Sequence, residues 1–153
     1  MKLLRLQTLL ASTWLGMIAS IGGLAAPGLF MVLERAVAGK AAGHLFTLEA
    51  KVSLAFAILI FAIERRRVRD LAEQGSTKTV LTGNLLLILA VLFLTIFGEF
   101  ALHPMMEAAK AGQPTNLSFG ALHGLSAGLY WLRAALVVCL AWRLTSQTTL
   151  FND

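Results

Sequence analysis

Five side chains give this chain most of its chemical scope: His44, His103, His123, Glu49 and Glu99. Neutral imidazole is a favoured donor to transition metals, holds haem iron axially and titrates near neutral pH. Carboxylates beside it would complete a metal site or pass a proton. The five therefore form the expected metal-binding set. Thr95, Glu99 and His103 recur at intervals of four and share one helix face, and Asn84 falls near the same stripe. Met105 and Met106 follow His103-Pro104, and thioether beside imidazole suits copper, although methionine equally fills apolar gaps. Arg133 is the outlier among the cations. It lies about ten residues from both His123 and Arg143, hence about 15 Å from each along a helix, on the side of Ser126 and Tyr130. His123, Ser126 and Arg133 are the candidates for holding a cofactor, with a metal ion or haem as the classes considered. An arginine so placed requires a carboxylate, a backbone carbonyl or an anionic solute. Against these readings stands a simpler one, in which the histidines are wetted interfacial residues and Arg133 makes a structural pair.

These residues are set in a strongly apolar frame. Of 153 residues 58% are hydrophobic and 14% charged, whereas a soluble domain carries about 25% charged residues. No charge falls between Arg5 and Glu34, between Lys78 and Glu99, or between Lys110 and Arg133. Each gap is about 20 residues or longer, enough for a helix to cross roughly 30 Å of hydrocarbon. A fourth apolar run at 52–63 becomes long enough if its helix starts near His44. The expected fold is all-α, an integral membrane bundle of four antiparallel transmembrane helices at about 9–32, 44–63, 80–102 and 117–142, forming a single domain. Open strands would leave backbone groups unsatisfied in lipid. Residues 64–78 read as a linker and 104–116 as a loop on the opposite side. Pro27 should kink or end the first helix. Cys139, the single cysteine, reads as a small buried apolar residue.

The net charge of +5 is distributed as a topology signal. Lys2, Arg5, Arg65, Arg66, Arg67, Arg69, Lys78 and Arg143 fall on one side of the spans, which places both termini in the cytoplasm and suits a bacterial inner membrane. The first span is too long for a signal peptide, and Pro27 spoils the best cleavage site. The basic residues form no aromatic-interleaved platform, so nucleic acid is not an expected partner. The lipid bilayer is. Gly120, Gly124 and Gly128 make a flat stripe on the fourth helix that lets backbones approach closely. Packing within the chain is the first expectation for that stripe, and contact with a second copy or a membrane partner is the alternative. No nucleophile elbow, phosphate loop or dinucleotide fingerprint is present, so no catalytic residue is assigned and an enzymatic role is not favoured.

Several short motifs also resemble a known family. Ala26-Pro27-Gly28-Leu29-Phe30 resembles an Ala-Pro-x-Leu-Phe motif at the end of a first helix. Ala38-Gly39 with Gly43-His44-Leu45-Phe46 resembles the segment entering the second. Phe119-Gly120-Ala121-Leu122-His123-Gly124-Leu125-Ser126 resembles a Phe-x-x-Leu-His-x-x-Ser motif on the fourth. Together they resemble the transmembrane-protein-205-like family, four-helix membrane proteins carrying a domain of unknown function. The resemblance implies a four-helix bundle with Pro27, Phe30, Gly39, Phe46, His123 and Ser126 as motif positions. Tyr130-Trp131 stands where members often carry asparagine. The layout is also distantly similar to copper-resistance D and HemJ proteins, which implies a metal or haem by analogy alone. Two functions follow as expectations: a small binding or transport-associated bundle with an outer-side His/Glu site for a metal ion, haem or protons, or a structural or accessory protein assembling through its glycine stripe without a ligand.

Overall fold

The computed structural model describes residues 2–75 and 81–149, with side chains to 147. The described residues are all helical apart from short connections. We number the helices α1 (Lys2–Val32), α2 (Arg35–Glu73), α3 (Gly83–Lys110) and α4 (Phe119–Thr149). Each is long and apolar enough to cross a membrane. In the apolar windows of α1 to α4 only 11%, 33%, 28% and 28% of residues are buried inside the bundle. Most of each apolar surface therefore faces outward, with Leu24, Met31, Val32 and Trp142 among the most exposed. Only a lipid environment makes such surfaces stable, which marks the chain as a multi-pass membrane protein.

The core is a narrow seam. Ala11, Trp14 and Ile18 on α1 meet Ala57 and Ile60 on α2, Ile88 and Val91 on α3, and Val137, Leu140 and Leu144 on α4. These positions recur at helical spacing, so each helix presents one stripe inward.

The helices run further than the hydrophobic pattern foretells. The expected 64–78 linker is helical through Glu73; Lys78 and Val80, the expected end of the linker and start of the third span, lie outside the described residues. The 39 residues of α2 rise about 58 Å at 1.5 Å each, more than the roughly 30 Å of hydrocarbon, so the helix is longer than one crossing needs. On the other side the expected loop is helical from His103 to Lys110. It closes with Gln113 N–H on the Ala108 carbonyl at 3.0 Å and Gly112 N–H on Ala109 at 3.2 Å. Gly112 holds φ +71°, the left-handed conformation that this C-terminal cap needs.

Pro27 neither ends nor breaks α1. A π-turn at Ile21–Ala25 precedes it, and a second at Gly98–Leu102 precedes Pro104. Each wide turn admits a residue that cannot donate a backbone hydrogen bond, and the helix continues. Thr82 caps α3 by accepting the Leu85 N–H at 3.2 Å, and Ser118 caps α4 by accepting from Ala121 at 3.3 Å.

Candidate functional site

A chain of buried polar side chains joins all four helices midway along the bundle. Trp14 on α1 donates its indole N–H to the Ser53 hydroxyl on α2 at 2.8 Å. Ser53 donates in turn to the Glu49 carboxylate one helical turn away. The second oxygen of Glu49 accepts from the Arg133 guanidinium on α4, and another arm of Arg133 donates to Thr95 on α3 at 3.3 Å. Thr95 in turn donates its hydroxyl to the Val91 carbonyl at 2.8 Å. The Tyr130 ring lies 5.0 Å from the guanidinium carbon, a cation–π contact covering the face left free by the hydrogen bonds.

Burial explains why these partners are obligatory. Side-chain exposure is 1% for Glu49 and 6% for Arg133, so each charge depends on the other rather than on water. Arg133 Nε is the one nitrogen of the group left without a partner. Tyr130 then carries the network to α1 by donating to the Ile18 carbonyl at 2.6 Å. That carbonyl lies just before the π-turn, where the helical ladder is loosened. A Cβ on Gly22 would sit 2.4 Å from the Tyr130 ring, so only glycine admits the ring here.

A second polar layer lies towards the arginine-rich end of α2. Glu64, with no exposed surface, accepts from Gln7 at 3.0 Å, from Arg67 at 3.0 and 2.9 Å, and from Thr82 at 2.9 Å. Beside it Asn84 donates to Gln147 at 3.4 Å and accepts from Arg143 Nε at 2.9 Å. Gln7 Oε1 is buried without a partner.

The residues expected to act together are divided by the fold. Glu49 and Arg133 meet, so of the three partners open to Arg133 the carboxylate is the one found, and Thr95 joins them. Asn84 belongs to the other layer. His44 and His123 are exposed and Ser126 is half-buried. The His123 ring stacks on Phe119 with centroids 5.8 Å apart. His103 is half-buried, with Nε2 4.0 Å from Glu107, and Glu99 sits half-buried within the second π-turn. Among the described residues no group of three or more His, Cys, Asp or Glu side chains is placed to hold a metal ion. Cys139 is exposed rather than buried, because it lies on the outward face of α4 while Val137 and Leu140 face the core.

Trp14, Ser53, Gln7, Glu64 and Tyr130 were not legible as site residues. The available signal was spacing. Gln7 and Trp14 are seven apart, and Glu49, Ser53 and Glu64 follow at four and eleven, which places each set on one helix face.

The glycine stripe is also rearranged. Gly120, Gly124 and Gly128 would meet nothing within 4 Å if a Cβ were added, and the same holds for Gly16. The expected packing of the α4 stripe within the chain is therefore corrected: α4 turns its opposite side, with Leu122, Arg133 and Val137, to the core.

A family model described as "Domain of unknown function (DUF4149)" matches residues 9–114, most of α1 to α3, and stops before α4. No curated protein and no solved structure matches the chain.

Proposed function

The chain belongs to the DUF4149 family, a domain of unknown function, and we propose that it serves as a structural or accessory module of the bacterial inner membrane. In this reading four antiparallel helices form a closed bundle with both termini cytoplasmic. The bundle presents the Gly120, Gly124 and Gly128 face of α4 to a second transmembrane surface, a further copy of itself or another membrane protein.

The observation that carries the reading is the bare stripe. Three glycines in register on a lipid-facing surface contribute little to their own fold, whereas close backbone approach is what drives helix association in lipid. The polar networks support it from the other side. Glu49 and Arg133 spend most of their hydrogen bonds on one another, on Ser53 and on Thr95, leaving only the buried Arg133 Nε unpaired. The order of contacts favours the antiparallel arrangement, since Gln7 meets Glu64 while Trp14 meets the earlier Ser53.

Replacing Gly124 by Leu tests this. The variant should keep the melting temperature of the parent protein yet lose its oligomers or captured partner in lipid nanodiscs. A lowered melting temperature with unchanged assembly would mean that the stripe packs within the chain, and the reading would fall. Tag accessibility in inverted vesicles tests the orientation: a periplasmic 65–69 segment would reverse it.

The exposure of His123 favours a second reading. It lies beside the stripe, so an outer-side site for a metal ion, haem or protons would need a partner to complete it, with His44, His103 and Glu99 as further donors and Ser126 adjacent. The resemblance to transmembrane-protein-205-like proteins, and more distantly to copper-resistance D and HemJ proteins, points the same way. Stoichiometric copper or iron in the washed, assembled protein, lost in His123→Ala, would establish a metal or haem site; a metal-free oligomer would exclude a resident metal ion or haem.

A further inference from the structure

An open groove of about 630 Å³ runs between α3 and α4 on the outside of the bundle. Leu86, Ala90, Val138, Cys139 and Trp142 line it, and Arg143 closes one end. From Gly83 to Ala90 it follows α3 for about 10 Å, the reach of part of an acyl chain. Among the described residues no carboxylate lines it. Its polarity is therefore that of a lipid, an apolar channel with one cation at the end.

The cation is held in place. Arg143 Nε donates to Asn84 Oδ1 at 2.9 Å. Asn84 is itself almost fully buried and has its amide nitrogen engaged by Gln147, which orients its oxygen towards Arg143. The guanidinium lies across Gly83, so close that a Cβ there would fall 2.7 Å from Nη2. Among the described residues the two Nη groups have no hydrogen-bond acceptor. They stand at the first turn of α3, whose dipole also favours an anion, and next to Trp142, 75% exposed, a residue type enriched where membranes present their headgroups.

We propose that this groove binds one anionic phospholipid, its acyl chain along Leu86, Ala90 and Val138 and its phosphate on the Arg143 guanidinium. The site is distinct from the glycine stripe, which occupies the outer half of α4, and does not depend on it. A planar guanidinium fixed through Nε presents both Nη groups to one phosphate, which a flexible ammonium cannot do.

The test is native mass spectrometry of the delipidated full chain, titrated with phosphatidylglycerol and with phosphatidylcholine of identical acyl chains. We expect one phosphatidylglycerol bound in preference to phosphatidylcholine. Arg143→Gln should weaken it about fivefold, the effect of one basic residue at an anionic surface. Gly83→Ala is the sharper variant. It leaves the net charge unchanged and its Cβ meets only the end of the exposed Arg143 side chain, so the fold should persist while the guanidinium is pushed off Asn84 and the preference falls as in Arg143→Gln. Arg143→Lys should not restore it, and Arg66→Gln should leave it intact. Equal losses from Arg143→Gln and Arg66→Gln, or full rescue by lysine, would reduce the effect to diffuse surface charge and overturn the proposal. So would Ala90→Phe changing the oligomeric state without changing lipid binding, because the groove would then be a protein interface.

Discussion

Removing the Arg133 side chain while leaving Glu49 in place is the most informative single perturbation of this bundle. In Arg133→Met the volume is roughly kept, but the Glu49 carboxylate, 1% exposed, retains only Ser53 as a donor. Glu49→Leu produces the converse, a guanidinium 6% exposed with only the 3.3 Å contact to Thr95 and the Tyr130 ring. Breaking one side of a buried pair costs about 3–5 kcal/mol, while replacing both partners by apolar groups is often neutral or stabilising. The two single variants should each lose about that amount, and Glu49→Leu/Arg133→Met should recover most of it. The coupling energy in the double-mutant cycle should then exceed about 2 kcal/mol. Reversible unfolding in mixed micelles, followed by circular dichroism against denaturant fraction, measures all four states. Additive losses would refute the reasoning, because they would mean that each charge finds water or lipid headgroups without the other. A double variant as unstable as the singles would refute it differently, by showing that the charges are needed for more than each other.

Three further outcomes follow from local geometry. Gly22→Ala should destabilise by about 1–3 kcal/mol, the cost of overpacking, because the Tyr130 ring it meets is held by the Ile18 carbonyl; combining it with Tyr130→Leu should relieve most of that loss, and a persistent loss would place the strain in the helix itself. Glu64→Leu removes the acceptor of Gln7, Arg67 and Thr82 at once and should cost about 1–3 kcal/mol in unsatisfied groups, with faster amide exchange at the start of α3; unchanged exchange of Leu85 would show the Thr82 cap to be independent of Glu64. Trp14→Phe keeps the 6.0 Å stack on Phe56 but loses the donor to Ser53, so a loss of about 1 kcal/mol is expected and a neutral result would remove the indole from the network.

The four spans were readable because charge is excluded from hydrocarbon, and that rule acts on each segment alone. Helix ends were not, since the same signal stops where the membrane stops. Arg65, Arg66, Arg67, Asp70 and Glu73 look like a loop by hydropathy, yet they are adequate helix formers and α2 continues through them to bury Val68. Pro27 reads as a kink or end of its helix because the π-turn that accommodates it leaves no mark in composition. The candidate site was legible only as a need. Arg133 demanded a carboxylate, a backbone carbonyl or an anionic solute, but Glu49 lies 84 positions away, and which turn of α2 faces which turn of α4 depends on register. The glycine stripe shows the same limit: its spacing predicts a flat face and says nothing of which helix lies against it.

Register is also what explains two polar layers rather than one. Between lipid-exposed helices, apolar contact gives little reason to prefer one sliding position over the next, because lipid tails are as apolar as the core. The seam of Ala11, Ala57, Ile60, Ile88 and Val137 would accept a shift of one turn at small cost. The Trp14–Ser53–Glu49–Arg133–Thr95 layer would not, since such a shift strands a buried charge. A single layer still leaves the helices free to pivot about it. The Gln7–Glu64–Thr82 layer stands about 10 Å away along α1, and two fixed levels on each of α1, α2 and α3 determine tilt as well as height. Helix α4 is pinned by Arg133 at one level and by Arg143 and Gln147 at the other. Its bare glycine face is thereby held at a set angle to the other three helices. The proposed contact with a second helix would use a face whose orientation is set in this way.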